Sequence, residues 1–175
     1  EARNIPPKFQ GKDETQVSFA CRLSGKRLIG THNTCIYCFL PAEKAQYGFK
    51  FRINTYIVPN GPRDDVRYEL NLNKNLSRIA GEQFCVWINQ LIISGYDYDS
   101  AFRLIPDFEL CVVGKTEGVP ALIKEFKQGF ESKLSTLQIP SDSGELVPIK
   151  EIVYDATGVV ERLGVPFWKR LNQHG

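Results

Sequence analysis

Between Leu76 and Ser94 the residues Leu76, Ile79, Ala80, Phe84, Trp87, Ile88 and Leu91 recur at spacings of three and four, which places them on one face of a helix. Cys85, Val86, Ile92 and Ile93 widen that stripe, and Gly95 supplies a stop. A helix this apolar has to be buried on most of its sides. The rest of the chain is therefore expected to wrap a sheet around it.

The flanking patterns supply that sheet. From Thr15 to Leu23, Val17, Phe19 and Cys21 alternate with polar or small residues, and Ser24-Gly25-Lys26 reads as a turn. Further strands are expected over Thr34–Leu40, ending at Pro41, over Phe49–Val58, closed by Pro59-Asn60-Gly61-Pro62, and over Val66–Leu72. Short links between four successive strands predict an antiparallel meander, since parallel neighbours need long crossovers. Beyond the central helix, Phe108–Val113 reads as an apolar strand. Pro120 suits the first position of a second, amphipathic helix bearing Leu122, Ile123, Phe126, Phe130 and Leu134. A last strand is expected near Val147–Tyr154, a short helix over Gly158–Leu163, and a final helical turn over Phe167–Leu171 carrying Trp168.

The expected architecture is a single α+β domain over residues 1–175: an antiparallel sheet of four or more strands packed on a largely buried central helix, with a second amphipathic helix and a short C-terminal helix. Within it, 1–14 is expected to be extended or mobile, 15–74 a β-meander, and 75–175 mixed helix and strand. The 175 residues, 42% hydrophobic and 24% charged, suit this reading. A chain of such length buries roughly 70% of its unfolded surface. No apolar run approaches the length needed to span a bilayer, and no secretory signal is visible at the start. The chain has no methionine, so it is expected to be trimmed or processed from something larger.

Five cysteines are odd in number and too sparse for a disulfide scaffold, and Cys85 and Cys111 fall in apolar patterns. An intracellular, reducing compartment is the expectation, although Asn75-Leu76-Ser77 formally matches a glycosylation sequon. The densest set of potential metal ligands is Cys21, His32, Cys35 and Cys38, whose C-x2-C knuckle could hold a structural zinc ion if the first two strands formed a hairpin. Against this, residues three apart on a strand point to opposite faces. No other cofactor is implied.

Enzymatic signatures are weak. Pro106-Asp107 followed by Glu125-Phe126-Lys127 formally matches metal-dependent nucleases of the PD-(D/E)xK type, but two residues separated by two on a helix point about 200° apart. Gly114-Lys115-Thr116 resembles the end of a phosphate-binding loop, with Glu109 standing where that loop needs glycine. The two histidines, His32 and His174, fit no nucleophilic triad. The acidic pairs Asp64/Asp65 and Asp97/Asp99 read as turn residues.

Charge is more informative. The net charge is only +2, yet residues 1–74 hold twelve Lys/Arg against seven Asp/Glu, net +5, and the remainder is net −3. Within the basic half, Phe49, Phe51, Ile53 and Thr55 share one strand face while Lys50, Arg52, Asn54 and Tyr56 share the other. Gly48-Phe49-Lys50-Phe51 resembles the G-F-x-F aromatic motif of RNA-recognition domains, from which Tyr47, Lys50 and Asn54 depart. The first functional expectation is a non-catalytic nucleic-acid-binding module, DNA or RNA, with Arg22, Lys26, Arg27, Lys50, Arg52 and Arg67 as electrostatic contacts and Tyr56 as a stacking ring. The second is an assembly or protein-interaction domain, self-associating or part of a larger protein. A metal-dependent nuclease or hydrolase stands third.

Overall fold

The computed structural model describes residues 15–32, 34–115, 118–141 and 144–152. In chain order these form β1 (Val17–Ala20), β2 (Arg22–Ser24), β3 (Arg27–Ile29), β4 (Cys35–Cys38), β5 (Leu40–Gln46) and β6 (Arg52–Thr55). Four helices follow, α1 (Asn71–Ile93), α2 (Tyr98–Phe102), α3 (Phe108–Val112) and α4 (Gly118–Lys133), and then the hairpin β7 (Gln138–Pro140) and β8 (Leu146–Pro148). The chain is thus α+β, with a four-stranded sheet in the order β1-β6-β4-β5 and two small ribbons, β2-β3 and β7-β8. No helix among the described residues is long and apolar enough to cross a membrane.

The sheet is mixed, not the antiparallel meander expected. β6 pairs antiparallel with β1 but parallel with β4. The crossover that a parallel pair requires is supplied by the segment between them: the chain folds back through β5, itself antiparallel to β4, and then returns to lay β6 beside β4. Pro41 does not end a strand but sits inside β5, opposite Tyr37. The expected first strand is likewise divided at Cys21, after which β2 leaves the sheet to form a ribbon with β3 across the turn at Gly25 and Lys26.

Residues 66–72 form no strand; only one bridge, Pro59 to Val66, survives. Side chains take the place of a ladder there. The Asp65 carboxylate accepts from Val66 N–H at 2.8 Å, and the buried Asn73 amide donates to the carbonyls of Arg67 at 2.8 Å and Val58 at 2.9 Å while its Oδ1 accepts from Val58 N–H at 2.8 Å. Phe108–Val112 is helical rather than extended, because the Asp107 side chain caps it by accepting from the N–H groups of Glu109 and Leu110. α4 begins two residues before Pro120. The expected last strand shrinks to β8, and Ile149–Glu151 turns into a 3-10 helix. The expected C-terminal helices, Trp168 and the 1–14 segment lie outside the described residues.

The core lies between the sheet and the helices. β6 and the residues before it alternate: Phe49, Phe51, Ile53 and Thr55 are buried, while Lys50, Arg52 and Asn54 are exposed. Phe51 stacks on Phe84 of α1 at 4.3 Å between centroids, and Phe49 meets Phe126 of α4 at 4.8 Å. α1 leaves a single exposed stripe, including Asn75, Arg78, Gln83, Val86, Gln90 and Ile93, as its wide apolar pattern demands. Around its third turn it presses against α4 at glycines: a Cβ on Gly81 would stand 2.0 Å from the Phe126 carbonyl oxygen, and one on Gly129 would stand 1.9 Å from that of Arg78. Ser77, within the sequon, is buried in α1 and donates to the Leu122 carbonyl at 2.7 Å.

Candidate nucleic-acid interface

Because alternate residues of a strand face opposite ways, burying Phe51 and Ile53 forces Arg52 and Asn54 outward. The register then fixes their neighbours. Ala20 of β1 stands opposite Arg52, Ser18 stands opposite Asn54, and from the other side Tyr37 of β4 pairs with Asn54. The Arg52 guanidinium lies 5.8 Å from the centre of the Tyr37 ring, close enough for a cation–π contact. Arg22 joins Arg52 at a small cavity of about 140 Å³ that is also lined by Ala20, Cys21 and Thr31.

Towards the carboxyl end of β6 the face becomes aromatic. β4 turns into β5 through Phe39, whose φ of 67° is unusual for a residue with a side chain and costs about 1–2 kcal/mol. The turn is held by Asn54, whose Oδ1 accepts from Phe39 N–H at 3.1 Å. It sets Phe39, 70% exposed, edge-on against Tyr56 with ring centres 5.2 Å apart.

Towards the amino end the face opens into a larger cleft, about 480 Å³, between the β2-β3 ribbon and α2. Arg27, Lys50 and Arg103 line it with Ser24, Leu28 and Leu104. Lys50 Nζ donates to the Arg103 carbonyl at 3.1 Å, and Thr31 N–H donates to the Lys50 carbonyl at 2.7 Å, so the two cavities adjoin along one stretch of backbone.

The structure therefore gathers Arg22, Arg27, Lys50 and Arg52, all exposed, along one face, with Lys26 in the neighbouring turn. None of these five forms an ion pair among the described residues, where the pairs are Lys44–Asp64, Arg67–Glu69, Arg103–Asp99 and Lys127–Glu109. Two of the expected cations line neither cavity: Arg67, whose Nε is bound to Glu69 at 2.8 Å, and Lys26, whose Nζ lies near Gly95 at the end of α1. Tyr56 is placed beside Phe39. Three contributors were not anticipated. Tyr37 could have been found from strand parity, because it alternates with Ile36 and Cys38, whereas Phe39 depends on the tight turn and Arg103 on the packing of α2, which no local pattern announces.

The expected metal centre does not assemble. Cys38 is buried in the core while Cys35 is half-buried on the opposite face of β4, as a strand dictates for residues three apart. No group of three or more His, Cys, Asp or Glu residues that could hold a metal is found among the described residues, so Cys21, His32, Cys35 and Cys38 do not converge. All five cysteines are free thiols. Burial pushes the Cys21 thiol up, and Cys35 is raised first by burial and further by Glu43, partly offset by its own backbone and by Arg52. Neither is primed as a thiolate. The nuclease pattern is also dispersed: Asp107 spends its carboxylate on the α3 cap and Lys127 is bound to Glu109 at 3.1 Å.

Comparison with protein-family models, with curated proteins and with solved structures finds no match to this chain.

Proposed function

We propose that this chain is a non-catalytic nucleic-acid-binding module that lays a single strand across the outer face of its four-stranded sheet. The observation that carries the reading is the row Arg27, Lys50, Arg52 and Arg22, exposed and without carboxylate partners among the described residues, running into the rings of Tyr37, Phe39 and Tyr56. Cations supply sequence-independent attraction to phosphates, and exposed rings offer faces or edges on which unpaired bases stack. Such a surface holds a strand without reacting with it.

Binding of short single-stranded RNA and DNA, measured over a range of salt concentrations, tests the reading. Four or five phosphate contacts give a slope of log K against log salt of about −3. Lys50→Glu combined with Arg52→Glu should flatten that slope by about 2. Tyr37→Ala should weaken binding by about tenfold through lost stacking and a lost support for Arg52. Affinity that ignores salt and both variants would overturn the reading.

A second reading, an assembly or protein-interaction domain, is favoured by Leu110 and Val113, which are 69% and 70% exposed around the end of α3. Concentration-dependent association in sedimentation that Leu110→Ser with Val113→Ser abolishes would support it, and a strict monomer without protein partners would remove it.

A further inference from the structure

The cleft between the β2-β3 ribbon and α2 differs from the open sheet face in shape and in charge balance. Its volume of about 480 Å³ falls within the roughly 300–1,000 Å³ typical of small-molecule sites. Three cationic side chains line it, and among the described residues the carboxylate paired with them is Asp99, whose Oδ2 lies 2.9 Å from Arg103 Nε. The surplus is thus two positive charges. A phosphomonoester carries about −1.5 to −2 at neutral pH, whereas a backbone phosphodiester carries only one negative charge.

The donors are suited to that group. Arg27 has no acceptor partner among the described residues, and Arg103 keeps its terminal nitrogens after Nε has gone to Asp99. Lys50 is steadied by one bond to the Arg103 carbonyl and retains further N–H donors. Gly30 lets the lysine stem lie close, since a Cβ there would stand 3.0 Å from that of Lys50. Leu28 and Leu104 give the same cleft an apolar side that inorganic phosphate alone does not use. An apolar wall beside a cluster of guanidinium groups fits a base or ribose attached to a phosphate.

We infer that the Arg27–Lys50–Arg103 cleft is a binding site for a nucleoside phosphomonoester, presented either as a free mononucleotide or as the phosphorylated end of a strand. The inference goes beyond the sheet-face reading and does not depend on it. The Arg27 and Arg103 guanidinium groups clamp the phosphate, Lys50 neutralises it, and Asp99 limits the affinity by holding part of the Arg103 fork.

Calorimetric titration of the intact chain with adenosine, adenosine 5′-monophosphate and inorganic phosphate, and with a short oligoadenylate ending in a 5′-phosphate or a 5′-hydroxyl, provides the test. A phosphorylated probe should bind more tightly than its hydroxyl counterpart, and Arg27→Ala should remove about tenfold of that advantage. Asp99→Asn should tighten phosphate binding, a gain that damage to folding does not produce. Preference for the mononucleotide alone identifies the free nucleotide as the source, and preference confined to the oligomer identifies the strand end; both support the site. Equal binding of phosphorylated and hydroxyl probes, a phosphate preference that persists in Arg27→Ala with Arg103→Ala, or inorganic phosphate binding as well as the mononucleotide overturns it. Oligomers that bind irrespective of their ends leave the sheet-face reading standing without the cleft, and a mononucleotide that binds when no oligomer does leaves the reverse.

Discussion

Tyr47 and Asn73 represent two ways of placing a polar group in this core. Asn73 satisfies its amide with three backbone partners, which ties the start of α1 to the segment leaving β6. The Tyr47 hydroxyl is buried with no hydrogen-bond partner among the described residues, and burial, reinforced by Tyr68, Cys38 and Asp65, pushes its pKa well above the usual 10.0. An unsatisfied buried hydroxyl costs about 1–3 kcal/mol, so Tyr47→Phe should leave denaturant stability unchanged or raise it by about 1 kcal/mol. The pH profile follows from the sign of the shift. A group whose folded pKa is raised gives stability that is intact below its unfolded value and is lost as pH rises towards the folded one. Wild-type stability should fall above pH 10.0, through Tyr47 and also through Tyr68, which is raised by burial and by its bond to Asp65. Tyr47→Phe should shallow that alkaline decline, and an identical profile in guanidinium melts would refute the assignment.

At the scale of elements the close crossing of α1 and α4 sets the distance between the two helices. Alanine is favoured over glycine within a helix by about 1 kcal/mol, so propensity alone predicts that Gly81→Ala stabilises α1. The Cβ would stand 2.0 Å from backbone at Phe126, which cannot swing aside as a side chain can. Overpacking of this kind costs about 1–3 kcal/mol or more and should win, giving a net loss of about 2 kcal/mol in urea unfolding. A stabilised variant would show that the helices are further apart. What the sequence disclosed at this scale follows the strength of periodicity. α1 and the buried face of α4 were legible because long 3.6-residue patterns leave few alternatives. The alternation of Phe49, Phe51 and Ile53 with charged or polar residues made the buried face legible, but the expected strand Phe49–Val58 shortens to Arg52–Thr55. The short segment 108–112, four apolar residues and Glu109, carried no usable period, and it was the Asp107 cap that decided for helix. Residues 66–72 alternated like a strand but were claimed by side-chain hydrogen bonds from Asp65 and Asn73.

At the scale of the whole molecule the question is whether the binding proposed here comes from overall charge or from placement. A net charge of +2 is too small to draw in a polyanion by itself, and at physiological salt a charge is largely screened beyond a Debye length of about 8 Å. Strand pairing concentrates the useful cations: β1 brings the chain beside β6, the β2-β3 ribbon carries Arg22 and Arg27 over the same end, and α2 adds Arg103. Arg67 belongs to the same basic half of the sequence, yet it is held by Glu69 and lines neither cavity. Arg52→Glu and Arg67→Glu change the net charge by the same amount, so they separate the two explanations. Placement predicts that Arg52→Glu weakens single-strand binding by about tenfold or more at physiological salt, since it converts a phosphate contact into a repulsion and removes the cation above Tyr37. Arg67→Glu should stay within about twofold of the wild type, because that guanidinium is already engaged by Glu69 and lines neither cavity. Equal losses in the two variants, measured by fluorescence anisotropy on the same strand, would mean that a diffuse field, and not the outer face of β6, attracts the nucleic acid.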